Sequence, residues 1–301
     1  MGNIRVRRRS LTTVAAVLCM LGLLVGAAGI AGASSSATVI AFSSERGGPV
    51  RVHVIGASSG SHRILQARGP GMDVEPDWSP DGRRIALATS DASGQNFDIE
   101  IMNANGGGRK RITDGPSWDE EPAWSPDGKW IAFASDRGGN FDIYVMHPDG
   151  TKMRQLTQST CEDTEPDWSP DGSKIVFESR RGGFPHVWMM NADGSGERRL
   201  VKALSSAPSW SPDGATIAFA EETSSGSEIA TVQRNGRGVT RLTDKPGATN
   251  TSPTWSPDGM RIAFASERDG DADIFEMSAD GTGVHALTTG VWTDGAPAWR
   301  P

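Results

Sequence analysis

Cysteine is nearly absent. Of 301 residues only Cys19 and Cys161 carry a thiol, and Cys19 sits inside an apolar N-terminal stretch. If that stretch is removed, Cys161 stands alone and no internal disulfide can form, so stability has to come from packed structure. Histidine is scarce as well, with five copies, which limits the room for histidine-based metal or nucleophile chemistry. Positive charge is in deficit: 30 Lys and Arg face 37 Asp and Glu, a net charge of −7, and four of the arginines crowd into the first nine residues. An acidic remainder excludes nucleic acid and anionic lipid as natural partners and suits cationic ones.

Those early arginines, Arg5, Arg7, Arg8 and Arg9, precede a run from Leu11 to Gly32 that is apolar or small. A basic start, an apolar run and the small residues Ala31-Gly32-Ala33 read as an export signal cleaved after Ala33. Arg8-Arg9-Ser10-Leu11 loosely resembles a twin-arginine signal, although a general secretory signal is the preferred reading. The run is about long enough to cross a bilayer, so an uncleaved N-terminal anchor is the alternative. Either way the remainder is expected to be exported, to the periplasm, the cell surface or the medium. The expected organisation is a signal over 1–33 and one domain over 34–301, with no membrane insertion of that domain.

What the chain does have is repetition. Trp-Ser-Pro-Asp-Gly begins at Trp78, Trp124, Trp168, Trp210 and Trp255, and a shortened copy, Trp299-Arg300-Pro301, ends the sequence. Spacings of 46, 44, 42, 45 and 44 residues define one supersecondary unit in tandem. Within the unit near Asp119, Glu121–Ser125 reads as a short strand, Pro126-Asp127-Gly128 as a tight turn and Trp130–Ser135 as an apolar strand. Phe141–Met146 and Met153–Thr157 then supply a third and fourth strand across Pro148-Asp149-Gly150. Ile-Ala-Phe-like second strands recur six times, from Ile40 to Ile262. An all-β, six-bladed β-propeller of four-stranded antiparallel blades is expected. The first unit, 34–66, lacks a tryptophan strand and the last tryptophan strand has nothing after it. The C-terminal strand is therefore expected to complete blade 1 and close the ring. The repeated tryptophans are expected between blades.

The repeat, Asp-x-x-Pro-x-Trp-Ser-Pro-Asp-Gly followed by Ile-Ala-Phe-x-Ser, Asp-Ile-Tyr-Val-Met and Leu-Thr, resembles the TolB-type, WD-like propeller repeat over nearly all of 34–301. Asp142-Ile143-Tyr144-Val145-Met146 matches it best. The resemblance implies a propeller and, by analogy with TolB in the periplasmic envelope machinery, a role in binding protein partners. The N-terminal α/β domain of TolB itself is not expected in this sequence.

Acids recur at i and i+2 where inner strands begin: Asp73 and Glu75, Asp119 and Glu121, Asp163 and Glu165. Asn250 and Asp294 hold the equivalent first position in two other units. Six carboxylates converging at a channel mouth raise one another's pKa unless a cation neutralises them. These eight residues form the candidate binding site, with Asp73, Asp119 and Asp163 as candidate ligands of a divalent ion such as Ca²⁺. Beside it stands an architectural reading, in which each Asp caps a turn or bonds a neighbouring blade and each Glu is solvated. Arg46, Arg137, Arg181 and Arg268 are expected to pair with acids on the following strand or a neighbouring blade.

The sequence thus reads as an exported, monomeric, non-enzymatic propeller that binds a protein, peptide or envelope component at its loop-bearing face. The alternative is a metal-dependent hydrolase, lactonase or lyase acting at the channel mouth.

Overall fold

The computed structural model describes residues 39–57, 60–65 and 69–301. The expected signal over 1–33 lies outside them. All regular structure among the described residues is β, 24 strands in six four-stranded antiparallel sheets. No helix among these residues is long and apolar enough to cross a membrane.

From the inside outward, blade 2 consists of Asp73–Trp78, Arg84–Ser90, Phe97–Asn103 and Lys110–Arg111. Blade 3 is Asp119–Trp124, Ile131–Ser135, Asp142–Met146 and Arg154–Gln155. Blade 4 is Asp163–Trp168, Lys174–Ser179, His186–Asn191 and Arg198–Arg199, and blade 5 is Ser205–Trp210, Thr216–Thr223, Gly226–Gln233 and Thr240–Arg241. Blade 6 is Asn250–Trp255, Arg261–Ser266, Asp273–Ser278 and His285–Ala286. Blade 1 takes its inner strand, Asp294–Trp299, from the C-terminus and the rest, Val39–Ser44, Arg51–Gly56 and His62–Ile64, from the N-terminal side. Ile40 pairs with Trp299 and Ser44 with Asp294, so the ring closes as the repeat arithmetic requires. Two sheet edges are thereby paired instead of open.

Turn chemistry sets the strand ends. In blade 3 the Ser125 hydroxyl donates to Asp127 Oδ1 at 2.7 Å and accepts the Trp130 N–H at 2.9 Å, while the Gly128 N–H donates to Ser125 O at 2.8 Å. Gly128 has φ 68°, which a side chain would resist. The same serine–aspartate bond forms at Asp81, Asp171, Asp213 and Asp258, and it lowers the pKa of each aspartate.

The core lies between blades. Trp78 packs with Ala41, Val54 and Leu65 of blade 1 and with Ile85 and Leu87 of its own. Trp168 packs against Ile143 and Val145 of blade 3. Each such ring, removed from water, contributes about 2–3 kcal/mol and staples one sheet to the next.

Every inner strand is bulged after its second residue: pairing runs from Val74 to Asp77 in blade 2 and from Glu120 to Ala123 in blade 3, skipping the residues between. The third residue turns left-handed in all six blades, with φ between 48° at Ala296 and 56° at Glu121. A proline follows it each time, and, lacking an N–H, leaves no donor stranded in the gap.

Candidate functional site

The bulges aim the third-residue N–H groups across the blade boundaries, and the sequence supplies acceptors for some of them. Glu75 donates its N–H to Ser43 Oγ at 3.0 Å. The Glu75 carboxylate accepts the Glu121 N–H at 2.9 Å, Glu121 accepts from Glu165 at 2.6 Å, and Glu165 accepts from Ala207 at 2.6 Å. Three glutamates thus link blades 2 to 5 by a chain of side-chain-to-backbone bonds. The pattern of three acids in six blades has this architectural role, and the glutamates are not simply solvated. The chain of carboxylates stops at Ala207, whose methyl side chain has no acceptor to offer the Ser252 N–H.

Two residues further along the strand a second tier repeats the device. Asp77 Oδ2 accepts the Trp124 N–H at 2.7 Å and Asp167 Oδ2 accepts the Trp210 N–H at 2.6 Å. Burial pushes both aspartates up to about 7. Burial also holds Glu121 well above the usual carboxylate range, with Glu75 and Glu165 adding like-charge repulsion. Glu165 is raised by burial and shares a hydrogen bond with Glu178, which burial and the Glu165 charge push up to about 9. At neutral pH part of this channel wall is therefore protonated.

The first acid of each inner strand faces different company. Asp73 is held by Arg109 through two bonds of 2.6 and 2.9 Å, Asp119 by Arg137 through two of 2.8 Å, and Asp163 by Arg181 at 2.6 Å. Asn250 accepts from Arg268 at 3.0 Å, and Asp294 lies 2.7 Å from Arg46. All five residues are buried. The guanidinium of Arg137 lies over Phe133 and Tyr144, which sets the pair inside the blade. Arg137, Arg181 and Arg268 thus reach residues of their own blade, not the following strand, whereas Arg46 also comes within 3.9 Å of Asp273 on the neighbouring blade 6, as the sequence suggested. In blade 2 the loop after the second strand has no arginine, and Arg109 of the 3–4 turn takes the place, bonding Glu100 as well. With a guanidinium already bound, Asp73, Asp119 and Asp163 do not fit together as a ligand set for a divalent ion. Among the described residues no group of three or more His, Cys, Asp or Glu is arranged to hold a metal.

A scan of family models matches the TolB β-propeller domain over residues 33–152, 138–205 and 200–301. The chain belongs to the TolB-type propeller family. Among solved structures it resembles TolB from Acinetobacter baumannii, at 26% identity and a TM-score of 0.78, covering 88% of this chain and 67% of that one. A putative TolB from Agrobacterium tumefaciens matches at 21% identity and TM-score 0.71 over 88% and 99% of the two chains, and a chain of a nidogen/laminin complex at 10% and 0.71 over 88% and 98%. The last two likenesses concern the fold alone. No curated protein matches the chain.

On this TolB-type wheel the loops after second and fourth strands share one face, and four large apolar side chains are exposed there: Phe184, Leu204, Val291 and Trp292. Cys161 lies on the same side, half-buried, its carbonyl accepting from Asn140 Nδ2. The histidines stay off the inner strands. His53 and His62 of blade 1 meet at 2.7 Å, and burial lowers His53 to about 4. Asp77, Asp167 and Glu178 were not singled out from the sequence, although Asp73-x-Glu75-x-Asp77 and Asp163-x-Glu165-x-Asp167 continue the i, i+2 spacing that marked the others.

Proposed function

We propose that this TolB-type chain is an exported, non-enzymatic propeller that binds a protein or peptide of the cell envelope at its loop-bearing face. The observation that carries the reading is the exposure of Phe184, Leu204, Val291 and Trp292 on loops of the same face at which the acid-bearing inner strands begin. Exposed apolar side chains supply contact area, and the incompletely ionised carboxylates would gain by pairing with a basic segment. Resemblance to TolB supports a protein partner, and the export reading rests on the N-terminal sequence. Ca²⁺ enters only as a proposed competitor for the glutamate tier.

The test is capture of envelope proteins on immobilised chain, with and without chelator. Phe184→Ser combined with Trp292→Ser should abolish retention of whatever the unaltered chain holds, and Glu75→Gln, Glu121→Gln and Glu165→Gln together should weaken it. Equal retention by both variants would remove the loop face and channel from the reading.

A further inference from the structure

The opposite face, where the Pro-Asp-Gly turns lie, carries a groove between blades 2 and 3 of about 510 Å³. Its floor is Ile101, Met102, Ile112 and Pro148, and its edges carry Arg84, Lys110, Lys129 and His147. That volume lies in the range of small-ligand sites.

Charge is poorly balanced here. Lys129 pairs with Asp127 at 3.0 Å, and the one acid in the lining, Asp149, has Oδ1 occupied by the backbone and hydroxyl of Thr151. The side chains of Arg84 and Lys110 have no hydrogen-bond or ion-pair partner among the described residues, and Arg84 acts on Asp81 only as a nearby charge that helps to lower its pKa. Arg84 is half-buried, with its guanidinium fixed 4.6 Å over the Trp124 ring. Its nearest acid along the chain, Asp81, is engaged by the Ser79 hydroxyl and the Arg83 N–H.

The molecule contains its own control. Arg261 of blade 6 occupies the same place and lies 4.9 Å over Trp299, but its guanidinium meets Glu276 at 3.3 Å. Glu276 pairs with Ala263 exactly where, in blade 2, Ile101 pairs with Ala86. Replacement of that acid by isoleucine leaves blade 2 with a pre-oriented guanidinium, a second free cation at Lys110 and an apolar floor. Guanidinium forks and lysine ammonium groups bind carboxylate and phosphate oxygens, and a flat arginine already stacked on a ring loses little entropy in doing so.

We infer that the groove between blades 2 and 3 binds a small organic anion, a carboxylate or phosphate with an apolar body, through Arg84 and Lys110 over Ile101 and Ile112. This site is separate from the loop face and stands whether or not that face binds a protein.

The experiment uses the full chain with labelled isoleucine methyl groups and three probes: phenyl phosphate, benzoate and neutral benzyl alcohol. Both anions, or one of them, should shift the Ile101 and Ile112 signals saturably, and the responding anion defines the head group. Benzyl alcohol should bind at least about tenfold more weakly, as should the anion to Lys110→Gln, which touches no tryptophan, and to Arg84→Gln. Arg261→Gln should leave affinity unchanged. No saturable shift with either anion up to about 10 mM, or equal binding of the alcohol, overturns the site.

Discussion

Blades 3 and 5 follow the same backbone path and carry opposite chemistry on it. Both bulge after the second residue of the inner strand, and both set the third residue left-handed, at φ 56° for Glu121 and 50° for Ala207. Blade 3 then has Asp119, Arg137 in the following loop, and Tyr144 beneath the guanidinium. Blade 5 has Ser205 for the aspartate, Ala230 for the tyrosine, and in place of the arginine loop a two-residue connection, Ser224-Ser225, between paired Thr223 and Gly226. Acid, base and supporting ring are missing together. The buried aspartate therefore occurs only with a guanidinium beside it, since alone it would leave a charge uncompensated, whereas the arginine can stand without it, as Arg268 does opposite the neutral Asn250 of blade 6. The bulge, by contrast, persists without either, so it belongs to the Trp-Ser-Pro-Asp-Gly strand and its preceding proline. Blade 5 uses its serine differently, as acceptor for the Val187 N–H of blade 4 at 3.0 Å.

The hardest way to strain the comparison is to remove from one blade what even blade 5 retains, the inner strand. A chain ending before Asp294 lacks Trp299 and Ala298 from two interblade clusters and exposes the edge of Val39–Ser44. Its melting temperature should fall by at least about 10 °C, or cooperative unfolding should vanish, in a calorimetric scan. An unchanged transition would show that the ring does not depend on closure.

A smaller effect tests the pair itself. Arg137→Ala leaves Asp119 buried and unpaired, and should cost about 3–5 kcal/mol in denaturant unfolding. Adding Asp119→Ser rebuilds the blade 5 combination and should recover most of that loss. If the double variant is as unstable as the single one, the coupled absence in blade 5 has another origin.

The fold was legible in the sequence because each repeat carries its own punctuation: serine, proline, aspartate and glycine fix a turn locally, and a period in the forties counts the blades. Closure by the C-terminal strand followed from the same count. The site was legible only in part. The spacing of Asp73 and Glu75 marked both as inner-strand acids, but which way each points depends on a bulge that flips the third residue, and nothing local to Glu75 announces it. The guanidinium partner of Asp73 lies 36 residues away at Arg109, on an element where the other blades do not place theirs. Long-range pairing of that sort is a property of the assembled blade, and alternation alone could not separate a ligand set from a set of internal ion pairs.

The gentlest test compares tiers within one wheel. Asp77 and Asp167 bridge to the next blade, whereas Ala123 and Ala298 stand at their positions in blades 3 and 1, so the bridge is useful but dispensable. A carboxyl raised to about 7 in the folded chain, against about 4 unfolded, favours the folded state below the unfolded value and loses that contribution as pH rises through 7. His53, lowered to about 4, acts in the other sense and weakens the fold as pH falls below about 6.5. Asp77→Asn keeps an oxygen for the Trp124 N–H and removes the charge. The variant should therefore match the unaltered chain near pH 4 and exceed it near pH 8 by on the order of 2 kcal/mol, channel water screening part of the full effect. Because Ala123 at the same position makes no such bond and has no charge, Ala123→Asn should leave the pH dependence untouched. Parallel stability curves for Asp77→Asn and the unaltered chain from pH 4 to 8 would mean that Asp77 ionises freely in the channel and that the second tier is no source of buried acid.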